Sequence, residues 1–155
     1  MRRFAVADMI WRKGGAGWLV VMMTVIAVAA EAQSPRENAQ RAFDRGYQYQ
    51  TGRGVRRNLE AAWLAYREAI SLDPTYADAF YNLAQVCFDI RRYDLAELAY
   101  KKYLKFQPNE VQAIHDLGVV LHKQGKYEEA LRQYRQALAL DPNMAQAHYN
   151  LGNLY

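Results

Sequence analysis

The chain has a single cysteine, Cys87, among its 155 residues. One thiol cannot form an intrachain disulfide, and a metal site built from several cysteines is excluded for the same reason. Cys87 follows Phe80, Leu83 and Ala84 in an apolar series that has the spacing of one helix face. We therefore predict that Cys87 is a buried structural thiol and not a reactive one.

A strong excess of one charge is absent as well. The chain has 20 Lys and Arg residues against 16 Asp and Glu residues. Four of the basic and two of the acidic residues precede residue 33, so the rest of the chain has 16 against 14. Binding to nucleic acid phosphates requires a concentrated basic face. Nucleic acid is therefore not expected as a partner, and the local group Arg53, Arg56 and Arg57 is predicted to lie in a solvated loop.

The common catalytic motifs are also missing. The sequence contains no H-E-x-x-H zinc motif, no G-x-x-x-x-G-K-S/T phosphate loop and no G-x-S-x-G nucleophile turn. His115 and His122 share a predicted helix but lie about 10 Å apart along its axis, too far to bind one ion together. The sequence therefore predicts neither an enzyme nor a protein that holds a cofactor or a metal.

Residues 1–32 have the features of a targeting segment. Met1–Lys13 is basic, Trp18–Ala30 is an uncharged run, and the small residues Ala30 and Ala32 precede Gln33. This order predicts a secretory signal that is cleaved after Ala32. The alternative is an uncleaved membrane anchor, although a spanning helix needs about 20 apolar residues. Both interpretations place the rest of the chain outside the cytoplasm, either in the periplasm or attached to the membrane.

A period of 34 residues organises the rest of the sequence. Four kinds of position recur at this spacing: a leucine followed by a small residue, an alanine, a tyrosine and a proline. The members are Leu83, Leu117 and Leu151; Ala62, Ala96 and Ala130; Tyr66, Tyr100 and Tyr134; and Pro74, Pro108 and Pro142. The small residues predict close helix crossings with tyrosines beside them, and each proline is expected to end the preceding helix. Because no single unit can bury its own apolar stripe, we expect neighbouring units to stack.

The recurring residues give the sequence a resemblance to a known family of repeats. Residues 77–110 and 111–144 are similar to tetratricopeptide repeats, and residues 145–155 are similar to the first helix of another repeat. Residues 33–76 resemble the related Sel-one-like repeat, in which a loop containing glycines joins the two helices. Gly52 and Gly54 would supply the positive φ values that such a loop needs. The resemblance implies an all-α fold, in which helix pairs form a right-handed superhelical α/α solenoid.

The resemblance also implies a site. In this family the first helices of the repeats line a concave groove, so residues of these helices that lie off the packing stripe are candidates for binding a partner. They are Tyr81, Asn82, Gln85, Phe88, His115, Asp116, Val119, His122, Tyr149, Asn150 and Asn153. A competing interpretation is that Tyr81, Val119 and Tyr149 seal the contacts between neighbouring first helices.

Two known grooves of the family provide a comparison. The chaperone-binding branch holds a terminal carboxylate with lysines, but Tyr81, His115 and Tyr149 stand where its leading lysine would be. The branch attached to sugar transferases grips the peptide backbone with an asparagine ladder. Asn82 and Asn150 match this ladder, and Asp116 interrupts it. The resemblance therefore implies binding of protein or peptide segments without a carboxylate clamp.

The predicted function is that of an exported scaffold that binds segments of partner proteins in its groove. Two alternatives stay open: the chain is the recognition part of a larger enzyme, or it is an assembly factor that associates with itself. Leu151, Leu154 and Tyr155 motivate both alternatives, because no second helix follows to cover them. A homodimer through residues 145–155 would cover them. Contact with a membrane is expected only through the N-terminal segment, if it is not cleaved.

Overall fold

The computed structural model describes residues 34–154. The predicted signal segment and Tyr155 lie outside the described residues. The chain divides into two units, Met1–Ser34 and Pro35–Tyr155, and the second unit contains all of the helices described here. The described residues form seven α-helices and no strand, which confirms the all-α solenoid. The helices are α1 (Pro35–Thr51), α2 (Leu59–Leu72), α3 (Ala77–Asp89), α4 (Tyr93–Phe106), α5 (Val111–Lys123), α6 (Tyr127–Leu140) and α7 (Ala145–Gly152).

The helices pack in pairs. The closest packing is between α1 and α2, between α3 and α4, and between α5 and α6. The second helix of each pair then packs on the first helix of the next pair, and α1 also touches α3. Each pair therefore contacts only its neighbours along the chain, which is the arrangement of a solenoid.

The helix ends lie where the prolines predict them. The helices α2, α4 and α6 end one residue before a capping Asp73, Gln107 or Asp141, and the next residue in each case is proline. Proline cannot continue the preceding helix, because it restricts the residue before it and has no N–H to donate. The predicted role of Pro74, Pro108 and Pro142 is confirmed.

The turns inside the helix pairs differ in length. Short turns join α3 to α4 and α5 to α6, and each contains one residue with positive φ: Arg91 at 60° and Gly125 at 76°. The link from α1 to α2 is longer, and Gly52 and Gly54 have φ values of 75° and 78° there. The positive φ predicted for these two glycines is confirmed. The link ends at Asn58, whose side chain accepts a hydrogen bond from the Ala61 N–H at 3.0 Å and caps α2.

Small residues and tyrosines form the core of each pair. Ala62, Ala96 and Ala130 are completely buried. Across the pair, a Cβ atom added at Gly118 would lie 2.6 Å from Cε1 of Tyr134, and one added at Gly46 would lie 2.7 Å from Cε1 of Tyr66. The tyrosine ring therefore occupies the space that the small residue leaves on the partner helix.

Ion pairs link neighbouring repeats at the surface. Arg92 pairs with Glu60 at 3.3 Å, and Lys126 pairs with Glu97 at 2.7 Å. Burial disfavours the ionised form of Glu97, but hydrogen bonds from Lys101, Lys126 and Gln124 outweigh burial and lower its pKa to about 2. An exposed pair such as Arg92 with Glu60 contributes only about 0–1 kcal/mol. The stacking of the pairs is therefore stabilised mainly by the buried apolar residues.

The contact between Gly118 and Tyr134 generates a prediction with an internal control. Gly118→Ala should lower the free energy of unfolding, because overpacking costs about 1–3 kcal/mol and better helix propensity returns at most about 1 kcal/mol. Gly152 occupies the same repeat position, but a Cβ atom there would meet nothing within 4 Å. Gly152→Ala should therefore leave stability unchanged or raise it. Urea unfolding followed by circular dichroism measures both variants, and equal losses would contradict the packing described here.

Candidate functional site

The first helices of the repeats present a continuous polar and aromatic surface, which we call the first-helix face. Three side-chain contacts join these helices in series: Gln50 on α1 to Gln85 on α3, Tyr81 on α3 to Asp116 on α5, and His115 on α5 to Asn150 on α7. The two partners are 35 residues apart in every contact. The helix spacing on this face is therefore held by side chains as well as by the core.

Asp116 is the centre of this network. Its Oδ2 atom accepts hydrogen bonds from the hydroxyls of Tyr81 at 3.2 Å and Tyr100 at 3.4 Å. Its Oδ1 atom accepts one from the Gln112 amide at 2.8 Å and lies 3.1 Å from Nδ1 of His115. The side chain is only 20% exposed. The carboxylate is therefore surrounded by donors, none of which belongs to a lysine or an arginine.

The charge of Asp116 affects the tyrosines around it. Burial, and after it the negative charge of Asp116, raises the pKa of Tyr81 and Tyr100 far above the usual range. The same two causes raise the pKa of Tyr134 to about 12. These phenols therefore stay protonated near neutral pH, and the hydroxyls of Tyr81 and Tyr100 remain donors to Asp116.

His115 lies beneath the face. It is 6% exposed, and its Nε2 atom is 2.9 Å from the amide nitrogen of Asn150. The other ring nitrogen, Nδ1, lies 3.1 Å from Oδ1 of Asp116, so the ring bridges Asn150 and Asp116. The prediction that His115 belongs to the groove surface is therefore corrected: it supports Asp116 and Asn150 from below, because two neighbouring helices cover it.

A pocket of about 340 Å³ lies between α1, α3 and α5. Four of the residues predicted from the sequence line it: Gln85, Phe88, Asp116 and Val119. Three further lining residues were missed, namely Gln50, Asp89 and Tyr100. Gln50 lies in the first repeat, and Tyr100 was assigned to the core because of its 34-residue recurrence. Gln50 lies 35 residues before Gln85, and Tyr100 lies 16 residues before Asp116. These spacings are the sequence signal that could have identified the two residues.

The other predicted residues occupy different places on the first-helix face. Asn82 is half-buried and donates to the Asp78 carbonyl at 2.9 Å. His122 is half-buried, with its ring 5.6 Å from that of Tyr127, and Asn153 is exposed. Tyr81 and Val119 are half-buried, and Tyr81 joins α3 to α5, as the sealing interpretation requires. Tyr149 is 71% exposed and seals nothing.

An apolar cleft of about 420 Å³ lies between α2, α3 and α4, and its lining residues include Trp63, Leu83, Cys87, Leu95 and Leu98. Leu98 is 56% exposed. The equivalent positions of Leu95 and Leu98 one period later are Glu129 and Arg132. Because the repeat accepts charges at these positions, the fold does not require the two exposed leucines.

Cys87 lies at the base of this cleft and is completely buried. Burial raises the pKa of its thiol to about 11, against weaker lowering by a hydrogen bond with Trp63. The prediction of a buried structural thiol is confirmed. Among residues 34–154, no group of three or more His, Cys, Asp or Glu side chains has an arrangement that could hold a metal ion. In the same range, no helix has the length and apolar character needed to span a membrane.

Comparison with protein families identifies the repeats. A model described as "TPR repeat" matches residues 57–90 and 120–155. Two models described as "Tetratricopeptide repeat" match residues 99–132 and 77–110. Together the matches extend over residues 57–155. Among curated proteins, none shows a significant match to this chain.

Solved structures of similar fold include two with bound peptides. MamA has a TM-score of 0.71 and 22% sequence identity, covering 83% of this chain and 71% of that one. The first TPR of Spaghetti (RPAP3) bound to the HSP90 peptide SRMEEVD has a TM-score of 0.69 and 21% identity, covering 77% and 91%. The second TPR domain of human RPAP3 in complex with the HSP70 peptide SGPTIEEVD has a TM-score of 0.68 and 25% identity, covering 77% and 97%.

The environment of Cys87 predicts low reactivity. A rise in pKa from 9.0 to about 11 lowers the thiolate fraction at pH 8 by roughly a hundredfold, and the thiolate is the reactive form. Iodoacetamide at pH 8 should therefore alkylate the folded protein at least a hundred times more slowly than the same protein in urea. Mass spectrometry follows the modification over time. Similar rates in the two conditions would show that Cys87 is accessible.

Proposed function

Residues 57–155 consist of tetratricopeptide repeats, and on this premise we propose that the chain is an exported scaffold that binds segments of partner proteins on its first-helix face. It acts by binding alone, without chemistry of its own. The fold neighbours that hold HSP90 and HSP70 peptides support a role in protein interaction. The partners are protein or peptide segments in an extended conformation.

The observation that carries this proposal is the series of contacts across α1, α3, α5 and α7. These contacts hold the polar side chains in position before any ligand arrives, which lowers the conformational entropy that binding would cost. Between the contacts lie the pocket of about 340 Å³ and the exposed ring of Tyr149. Aromatic side chains are common anchors in protein interfaces.

The spacing of the helices suits an extended ligand. Packed helices lie about 8–10 Å apart, and an extended chain advances about 3.3 Å per residue. Every third residue of a bound segment would therefore meet the next first helix. Asn82 and Asn150 can both donate to and accept from the backbone of such a segment, although each already makes one contact within the protein.

The proposal includes a Sel-one-like first repeat and export. The long link from α1 to α2, with two glycines at positive φ, supports the assignment of residues 33–76 to a Sel-one-like repeat. The basic start, the apolar run and the Ala30–Ala32 pair support export through a cleaved signal.

Export predicts a defined mature N-terminus. In the periplasmic fraction of the native cell, mass spectrometry of the protein should find Gln33 as the first residue, because cleavage after Ala32 removes the leader. A protein that carries Met1–Lys13 and sediments with membranes would support the anchor interpretation. Recovery of the intact chain in the cytoplasm would contradict export altogether.

Binding on the first-helix face predicts which variants lose affinity. Peptides selected from a random library on phage against the full-length protein serve as ligands, and fluorescence anisotropy measures their Kd. Gln85→Ala/Tyr149→Ala should raise the Kd by roughly one to two orders of magnitude, because it removes an aromatic contact and a hydrogen bond worth about 0.5–1.5 kcal/mol.

The matched control changes the second helices. Lys105 on α4 and Arg132 on α6 are exposed, and Lys105→Ala/Arg132→Ala should leave the Kd unchanged. Circular dichroism should show the same helix content in all variants. Loss of affinity in the control pair alone would move the binding surface to the second helices, and a library that yields no ligand would contradict peptide binding.

A further inference from the structure

The pocket between α1, α3 and α5 carries negative charge without a lysine or arginine in its lining. Two of its lining residues are the carboxylates Asp89 and Asp116, and the others are neutral. The guanidinium of Arg57, on the α1–α2 link, donates to the Gln50 carbonyl at 3.0 Å and reaches Asp89 at 3.5 Å. The contact with Asp89 is long and the Arg57 side chain is 60% exposed, so Asp89 is only weakly neutralised.

Asp116 is surrounded by side-chain groups of α3, α4 and α5. Tyr81, Tyr100 and Gln112 donate as neutral groups. Nδ1 of His115 lies 3.1 Å from the same carboxylate, and its other ring nitrogen meets the side-chain amide of Asn150. None of these four contacts comes from a lysine or an arginine. The negative charge of Asp89 and Asp116 therefore acts on whatever enters the pocket.

The remaining walls suit a long aliphatic chain. Phe88 and Val119 are half-buried apolar residues in the pocket lining. The side-chain oxygens of Gln50 and Gln85 each accept one hydrogen bond, from Tyr66 and Gln50 respectively. An amide oxygen has a second lone pair, so each can accept another N–H. The pocket thus combines an apolar wall for methylene groups with acceptors and charge for a cationic end, as lysine and arginine require.

We propose that this pocket selects a lysine or arginine side chain, so that the first-helix face binds cationic segments. The proposal rests on the proposed function and names the chemistry of its ligand. It sets this chain apart from the fold neighbours whose bound peptides, SRMEEVD and SGPTIEEVD, end in acidic residues. A carboxylate in this pocket would face Asp89 and Asp116 and be repelled.

The test is the composition of the selected peptides. Peptides from the random library that bind the full-length protein should be enriched at least threefold in lysine or arginine at one aligned position. Replacing that residue with norleucine, which keeps the aliphatic chain and removes the charge, should raise the Kd at least tenfold. A change to glutamate should abolish binding. Raising the salt from 50 to 500 mM should weaken the original peptide and leave the norleucine peptide nearly unchanged.

Two protein variants assign the effect to the pocket. Asp116→Asn should remove the preference for the basic residue, so that the original and norleucine peptides bind alike. Because Asp116 joins three helices, this variant is paired with Asp89→Lys, whose exposed position permits folding and whose charge reversal should weaken the basic peptide at least tenfold. Glu129→Lys on α6 makes the same charge change away from the pocket and should have little effect.

The outcomes separate the two claims. Peptides that bind the first-helix face without enrichment of basic residues would overturn the charge selection and leave the proposed function standing. Enrichment of acidic residues, or a basic preference that survives both Asp116→Asn and Asp89→Lys, would overturn it as well. A library that yields no ligand would overturn the proposed function, and the charge selection with it.

Discussion

The contact between a tyrosine ring and a small residue on the partner helix is the interaction on which this structure depends. The ring of Tyr134 fills the space above Gly118, and the ring of Tyr66 does the same above Gly46. This contact sets how closely the two helices of a pair approach. A pair built in this way still exposes apolar side chains on both flanks, so that the next pair must stack on it. The alignment of α1, α3, α5 and α7 on one face follows from that stacking.

The same tyrosines connect the core to the first-helix face. The hydroxyl of Tyr66 donates to the Gln50 side chain at 2.6 Å, and the hydroxyl of Tyr100 donates to Asp116 at 3.4 Å. Gln50 and Asp116 both line the pocket. Each tyrosine packs its ring in the core and donates its hydroxyl to a pocket residue. The shape of the pocket therefore depends on the packing of the helix pairs. Polar groups that are satisfied in this way also favour a single arrangement of the site.

The negative charge of the pocket comes from Asp89 and Asp116. Asp116 is held among donors from α3, α4 and α5, none of which is a lysine or an arginine. Arg92 and Lys126 pair with Glu60 and Glu97 of the preceding repeat, and none of these four residues lines the pocket. These two ion pairs therefore do not neutralise the carboxylates of the pocket.

The local pattern of the sequence was sufficient to predict the helices. Leu117, Ala130, Tyr134 and Pro142 belong to the classes that recur every 34 residues, and each class has a local physical reason, such as the inability of a helix to continue into proline. The repeat therefore predicted stacked helical units, and the family resemblance that it carries implied the all-α solenoid. The apolar spacing around Cys87 predicted that this thiol is buried.

The site could be predicted only in part, because contacts between repeats depend on the angle and spacing at which the pairs stack. Gln85, Phe88, Asp116 and Val119 were identified from their helix positions, whereas Gln50 and Tyr100 were not. Helix position did not reveal that His115 would be covered by α7. The sequence by itself determined which residues form helices and which side of each helix packs. Only the tertiary structure decided which polar side chains meet, because hydrogen bonds across 35 residues form at distances that stacking alone sets.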